Sequence, residues 1–394
     1  MIFLLKSLFS NVSSLSNDEK VFLLTSFAIL LPYYICGPVI VIATIYLTIR
    51  HWKDLISEIS QLRYLLIFVI YAIAVALYYR NYLGILLPLA FGIFGLFFLI
   101  YKQLVTARLY RWNLKIFTWG SILLAFYAFG HYVNQVLRAG YDLMYIFKYQ
   151  NLQTRAQATV FNPNYYGLLI AMVLVMAIYL IFKSRKPYER ILSYIAIFMN
   201  LIALILTGSR WSIPTAFLGV VMMVLALKPK LAWALAVASV GLLVGLVLKP
   251  SLLPRFTNLA YGFADRYGIW LAGWKLFETS PLIGRGSMTF VKFYYLVSDQ
   301  AKMHAHQILV DSLANYGIFG MMLLILFLSP FFRWLVFQLK EWRLTPELGL
   351  IISLIGVCLF HGLMDVSIIW VQMGYMLLCS VVVSDETLRE IQTS

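Results

Sequence analysis

Long apolar segments separated by short polar connections run along almost the whole chain. Windows of about 20 apolar residues, the length that crosses a bilayer as a helix, predict spans near residues 21–49, 64–79, 82–101, 114–136, 161–182, 191–207, 211–227, 231–248, 309–337, 347–364 and 367–384. The first segment is too long for one straight helix and contains Pro32, Gly37 and Pro38, so we interpret it as two short spans. The pattern predicts an all-α integral membrane protein with about 12 transmembrane helices.

The composition agrees with this pattern and removes other classes of protein. Apolar residues make up 62% of the 394 residues and charged residues only 12%, which is more apolar surface than a soluble domain could bury. The three cysteines, Cys36, Cys358 and Cys379, lie inside apolar segments without the spacing of a metal site or a redox motif. We therefore expect no disulfide and no metal at these positions.

The lysines and arginines indicate the orientation of the chain. Most of the 31 lie at both chain ends and in the connections 50–63, 102–115, 183–190, 228–230 and 333–343, which mark the cytoplasmic side. This predicts five regions, namely a cytoplasmic tail at 1–20, a membrane bundle at 21–248, a large periplasmic loop at 249–307, C-terminal transmembrane helices at 308–384 and a cytoplasmic tail at 385–394. Both termini are then cytoplasmic.

The predicted periplasmic loop is basic, against the usual distribution of charge. It contains seven lysines and arginines and three acidic residues, and Arg155 and Arg210 fall on the same side of the membrane. Cations kept on this face indicate an anionic ligand there, and nothing indicates nucleic acid. Within the loop, YGFADRYGIWLAGWKLFET predicts an amphipathic helix along the membrane surface, and PLIGRGSMTF predicts a turn.

Two histidines precede the span that begins near Ile308. We place His306 in the first helical turn, where the positive helix end favours the neutral imidazole that a general base requires. Residues two apart on a helix point to opposite sides, so His304 and His306 make a poor metal pair. The alternative is that both are interfacial polar residues that cap the span, with His304 an accessory or structural residue.

Other polar residues share the face predicted for His306. Arg210, Arg266 and Arg285 could bind phosphate through bidentate guanidinium contacts, or could be ordinary interfacial and solvated cations. Asp311 follows His306 by a little more than one helical turn and either orients its imidazole or caps the helix. His361 and Asp365, four residues apart, form either a proton path or a buried hydrogen-bonded pair.

Several of these stretches resemble one family. The pattern His-Gln, nine residues, Gly, two residues, Gly at 306–320 resembles the signature of the O-antigen ligase family. The stretches DRYGIW, PLIGRG, LTGSRWSI and RAQATVFNPNYYG resemble further motifs of the O-antigen ligase and polymerase superfamily. The resemblance covers about residues 155–320.

This resemblance implies a multi-pass inner-membrane glycosyltransferase of the C-type fold that works without a metal or cofactor. Members transfer polysaccharide from undecaprenyl pyrophosphate to a sugar hydroxyl of lipid A-core. The family's catalytic histidine corresponds to His306, and its pyrophosphate-binding arginines correspond to Arg210 and Arg266. The candidate accessory residues are Arg285, Arg255, His304, Arg155, Asn164 and Asp311, with Arg255 and Arg285 as alternatives for the loop arginine.

Three other functions remain as alternatives. An O-antigen polymerase and a protein O-oligosaccharyltransferase would use the same donor with a different acceptor. A transporter of lipid-linked sugars predicts charged residues in the middle of several spans and paired broken helices. The spans carry few such residues, so the sequence favours an enzyme.

Overall fold

The computed structural model describes residues 15–149, 153–249, 259–299, 302–342 and 344–393. Every element of regular secondary structure in these ranges is a helix, which confirms the all-α expectation. The helices of the first half are α1 Asn17–Ala28, α2 Tyr33–Arg50, α3 Trp52–Glu58, α4 Arg63–Tyr78, α5 Leu86–Leu104, α6 Ala107–Arg138, α7 Tyr145–Lys148, α8 Pro163–Lys183 and α9 Pro187–Thr207.

The second half contains the predicted loop and the C-terminal spans. Its helices are α10 Ser212–Leu227, α11 Pro229–Leu248, α12 Leu259–Glu278, α13 Thr289–Phe293, α14 Ile308–Trp342, α15 Pro346–Gly362, α16 Val371–Val381 and α17 Asp385–Thr393. The first apolar segment is broken before Pro32, as expected, whereas Gly37 and Pro38 lie inside α2.

The helices have the length and surface of a multi-pass membrane protein. Seven helices of the described residues are long and apolar enough to cross a bilayer, and shorter apolar helices include Ser212–Leu227, Pro346–Gly362 and Val371–Val381. Large apolar side chains such as Ile42, Ile70 and Leu123 face outward, where lipid rather than water is the compatible solvent. The figure of about 12 spans stays a prediction.

Helix α8 is the centre of the bundle. In its most apolar window 83% of the residues are buried, against 11–44% in the other six long helices. It packs against α6, α9, α10 and α15. Asn162 caps the first turn of α8 by accepting from the amides of Asn164 and Tyr165. This cap fixes the point at which α8 begins.

The predicted loop folds onto the start of α14. Helix α12 confirms the helical pattern expected for this stretch, and Ile269, Ala272 and Leu276 pack with Ala305 and Ala314. Its position along a membrane surface remains a prediction.

Helix α14 is bent at Gly317, and the PLIGRG turn fills the break. Gly317 has φ 61° and ψ −171°, so the amides of Ile318 and Phe319 leave the helical pattern. They donate instead to the carbonyls of Pro281 and Leu282 at 2.9 and 3.0 Å. The arrangement joins the loop to the residues that follow the histidines.

We expect Gly317→Ala to destabilise the protein. A Cβ atom at this position would lie 2.5 Å from the Gly284 nitrogen and the Leu282 carbonyl, at a φ that alanine rarely adopts. The expected loss is about 2 kcal/mol or more, visible as a lower Tm in detergent. The matched control is Gly130→Ala, a helical glycine with open space around it, which should leave Tm unchanged or slightly raised. Equal Tm values for the two variants would contradict this account.

Candidate active site

The segment before α14 places both histidines outside the helix. His306 has φ 53°, and the helix begins at Ile308, so the expectation that His306 lies in the first helical turn is wrong. The Gln307 side chain accepts from the Val310 amide at 2.6 Å and so caps the N-terminus of α14 one residue after His306. Trp270 of α12 donates through its indole nitrogen to the His306 carbonyl at 3.2 Å.

The two imidazoles are neighbours rather than facing opposite ways. Their ring centroids are 4.3 Å apart with planes inclined at 67°. The expectation that the two rings point to opposite sides assumes a helical segment, whereas residues 302–307 are not helical. The backbone N–H of His306 donates to His304 Nδ1 at 3.2 Å, which fixes one ring against the backbone of the other.

A buried carboxylate, Asp365, joins the histidines to the rest of the site. It follows α15, and its Oδ1 lies 3.4 Å from His306 Nδ1 and 3.5 Å from His304 Nε2. The same oxygen accepts from the Val366 amide at 2.8 Å. Asp365 rather than Asp311 is therefore placed to orient the imidazole of His306.

The other oxygen of Asp365 is bound by the start of α8. Asn164 donates through Nδ2 to Asp365 Oδ2 at 2.8 Å and accepts through Oδ1 from the Arg155 guanidinium at 2.9 Å. Arg155 also donates through Nε to the carbonyl of Thr207 at 2.6 Å. The candidate accessory residues Arg155 and Asn164 are thus connected by hydrogen bonds to Asp365, whose other oxygen faces His306.

The two arginines expected to bind phosphate lie near each other. Burial lowers the pKa of the Arg210 guanidinium, and the charge of Arg266 lowers it further. Arg266 donates to the Met364 carbonyl next to Asp365, and burial lowers its pKa as well, opposed by the charges of Asp365 and Asp265. Among the described residues no atom accepts from the buried Arg210 Nε, so this donor is available to an anion.

The remaining candidates have other partners or lie outside the described residues. Arg285 donates to Thr279 at 2.7 Å and stacks over the rings of Tyr79 and Phe293. Asp311 accepts from the Ala305 amide, next to His306, and from the Asn315 side chain, each at 2.8 Å. Arg255 lies outside the described residues.

The environment separates the protonation states of the groups around Asp365. Burial lowers the pKa of His304 to about 4, helped by His306 and Arg266 and opposed by Asp365. Burial alone would raise the pKa of Asp365, but the hydrogen bond of His306 and the charges of the histidines hold it well below its usual range. At neutral pH the site therefore contains an ionised carboxylate and a neutral His304.

Three of these residues have metal-ligand chemistry. One donor atom each from His304, His306 and Asp365 lies within 4.8 Å of the others, so the geometric objection drawn from a helix does not hold. Two features disfavour a cation. His304 Nδ1 already accepts an amide hydrogen, so the neutral ring carries its proton on Nε2, and the cation Arg266 lies close by. The residues fit proton transfer better than metal binding.

Asp365 is the site residue that sequence reasoning did not assign to His306. The sequence pairs Asp365 with His361, but the His361 side chain faces Ser212, with Nε2 3.3 Å from Oγ. The available signal was an aspartate at the end of an apolar span, where an unpaired charge is costly.

We expect acid to weaken the folded state through His304. Tyr165, His306, Asp365 and Arg266 face this ring, and its folded pKa of about 4 lies below the ordinary 6.5. The unfolded chain therefore binds more protons between these values, so stability falls as pH decreases from 6.5 to 4, by at most about 3 kcal/mol. The free energy of unfolding of the wild type relative to His304→Asn should therefore fall across this window, and the difference in Tm between the two proteins should change with it. Parallel curves would contradict the assignment.

One comparison with known proteins finds a match over part of the chain. A family model described as O-antigen ligase matches residues 195–325, a range that includes Arg210, Arg266, both histidines and the bend at Gly317. No curated protein matches the chain. The matched third of the chain is therefore similar to the O-antigen ligase family.

Proposed function

We propose that this protein is an O-antigen ligase. It transfers polysaccharide from undecaprenyl pyrophosphate to a sugar hydroxyl of lipid A-core at the periplasmic face of the inner membrane. The observation that carries the proposal is the placement of His306 and Arg266 beside Asp365, with Arg210 close enough to Arg266 for the two charges to interact. A base beside two guanidinium groups is the arrangement that a sugar diphosphate donor requires.

Arg210 and Arg266 bind the donor's pyrophosphate. Both are partly withdrawn from water, where a guanidinium binds an anion more strongly than it does in solvent. Negative charge grows on the departing pyrophosphate as its bond to the sugar breaks, and fixed cations stabilise that charge. The free Nε of Arg210 supplies a donor that the folded protein leaves unused among the described residues.

His306 acts as the general base. In the proposed mechanism His306 carries its proton on Nδ1, which faces Asp365 Oδ1 at 3.4 Å, and keeps the lone pair of Nε2 for the acceptor hydroxyl. The carboxylate also stabilises the imidazolium that forms when the proton arrives. The His306 side chain is 26% exposed, so a substrate can reach it.

The reaction is a single displacement. The acceptor oxygen gives its proton to His306 Nε2 and forms a bond to the anomeric carbon, while the bond from that carbon to the pyrophosphate oxygen breaks. The electron pair leaves with undecaprenyl pyrophosphate, held by the two arginines. Attack from the face opposite the leaving group inverts the anomeric configuration.

An apolar groove supports a lipid-linked donor. It has a volume of about 490 Å³, and its lining residues are Leu24, Phe27, Ala28, Leu30, Leu31, Val39, Leu123, Leu124 and Tyr127. Tyr33, two residues after the lining residue Leu31, lies 5.0 Å from Trp370 between ring centroids, and Trp370 lies 5.5 Å from Tyr165. Tyr165 contacts His304 at 3.0 Å. A prenyl chain in this groove would bring its pyrophosphate toward the site.

We expect His306→Ala to lower the transfer rate by roughly 100- to 10,000-fold, because a positioned base contributes that much. The measurement is transfer of polysaccharide from undecaprenyl pyrophosphate to lipid A-core by purified protein, with expression and Tm checked. The wild-type rate in this variant would rule out His306 as the base.

The same variant in cells distinguishes the ligase from its relatives. In a strain without the gene, wild-type protein should restore polymer-bearing lipopolysaccharide on a gel. His306→Ala should leave bare core, with polymer retained on its lipid carrier. Core capped by a single repeat would identify a polymerase, and intact lipopolysaccharide in the deletion strain would favour a protein acceptor.

We expect Arg210→Lys to weaken binding of undecaprenyl pyrophosphate by roughly ten- to a hundredfold, since lysine keeps the charge but loses the planar fork. The matched control is Arg138→Lys, an exposed arginine at the end of α6, which should bind as the wild type does. Kd from equilibrium binding in detergent is the measurement. Unchanged affinity in Arg210→Lys would exclude the pyrophosphate role.

A further inference from the structure

Three contacts hold the backbone at His306 in an unusual conformation. The φ of 53° lies in the left-handed region, which non-glycine residues seldom occupy. The Ala305 amide donates to Asp311 at 2.8 Å, and the His306 carbonyl accepts from Trp270 at 3.2 Å. The third contact is the His306 amide, which donates to His304 Nδ1 at 3.2 Å.

The His304 contact fixes the tautomer of that ring. A protonated Nδ1 would point a hydrogen at the His306 amide hydrogen, so Nδ1 must present its lone pair and Nε2 must carry the proton. Nε2 lies 3.0 Å from the Tyr165 hydroxyl and 3.5 Å from Asp365 Oδ1, both able to accept that proton's hydrogen bond. Burial keeps the ring neutral in the physiological range, since it lowers the pKa of His304 to about 4.

We propose that His304 is a positioning residue that sets the geometry of His306 by accepting its amide hydrogen. The inference rests on the proposed function of His306 as the base. With the amide held, the His306 ring keeps Nδ1 toward Asp365 and Nε2 toward the acceptor. Without it, His306 returns to a more favourable backbone conformation, and its ring leaves Asp365.

The two imidazole nitrogens of His304 can be tested separately. Asparagine places its Oδ1 near the position of Nδ1 and keeps the acceptor for the His306 amide. Glutamine reaches the position of Nε2 and keeps the contact with Tyr165 but not the acceptor. His304→Asn should therefore transfer polysaccharide within about tenfold of the wild-type rate, whereas His304→Gln and His304→Ala should lose roughly ten- to a hundredfold in kcat. KM for the donor should stay unchanged in all three.

Each other outcome overturns the inference. An active glutamine variant with an inactive asparagine variant would assign the role to Nε2. Loss in both, with unchanged Tm, would mean that the imidazole itself is needed, and full activity in both would mean that His304 does not position His306.

A measurement without substrate separates this inference from the proposed function. The chain has five histidines, so ¹⁵N spectra of ring-labelled protein can be assigned by single substitutions. The His304 ring should show an unprotonated Nδ1 and a protonated Nε2, in the wild type even if the variants fail to fold. The opposite tautomer would overturn the inference whatever the enzyme's activity. If instead His306→Ala were fully active, the proposed function would fail while the tautomer result stood.

Discussion

The site depends on the need to satisfy one buried charge. The Asp365 carboxylate is 2% exposed and lies where an unpaired ion would cost several kcal/mol. Its oxygens draw together an amide of its own turn, Asn164 at the start of α8 and the two histidines before α14. Three parts of the chain that share no sequence pattern meet at this carboxylate, two of them through hydrogen-bond donors and the third through the histidines at 3.4 and 3.5 Å. Removing the charge would therefore loosen the base, the helix start and the loop together.

The groups that meet there lie where helices end or break. His306 precedes α14, Arg210 separates α9 from α10, and Gly317 interrupts α14 a few turns after the histidines. A regular helix in a bilayer satisfies its own backbone and has no free polar groups, so chemistry requires interruptions that are paired elsewhere. The PLIGRG turn pairs the break at Gly317, and Trp270 pairs the carbonyl of His306. The stretch DRYGIW thus contains both Arg266, the proposed ligand of the pyrophosphate, and Trp270, which binds the carbonyl of His306.

The sequence predicts the helices far better than the geometry of the site. Windows of about 20 apolar residues predict most of the long helices to within about five residues, because bilayer thickness constrains their length, whereas the helix predicted at 114–136 begins already at Ala107. Residue chemistry and the family resemblance identified His306, Arg210 and Arg266, which lie in one region of the fold. The same reasoning wrongly includes His306 in the first turn of α14. The helix start is set by the Gln307 side chain, which caps α14, and such a cap leaves no apolar signal in the sequence. It also missed the partnership of Asp365 with His306, because α14 and α15 separate them and only the fold brings them together.

Two histidines one residue apart have opposite roles because their hydrogen bonds differ. The Nδ1 of His304 accepts an amide hydrogen, whereas the Nδ1 of His306 faces a carboxylate, which favours a proton on that nitrogen. The first ring therefore directs its N–H toward Tyr165 and Asp365, and the second leaves Nε2 with a lone pair. Exposure follows the same division, since the His304 side chain is 11% exposed and that of His306 is 26% exposed. The ring whose Nε2 would have a free lone pair is also the more exposed ring, and this coincidence is why we propose His306 rather than His304 as the base.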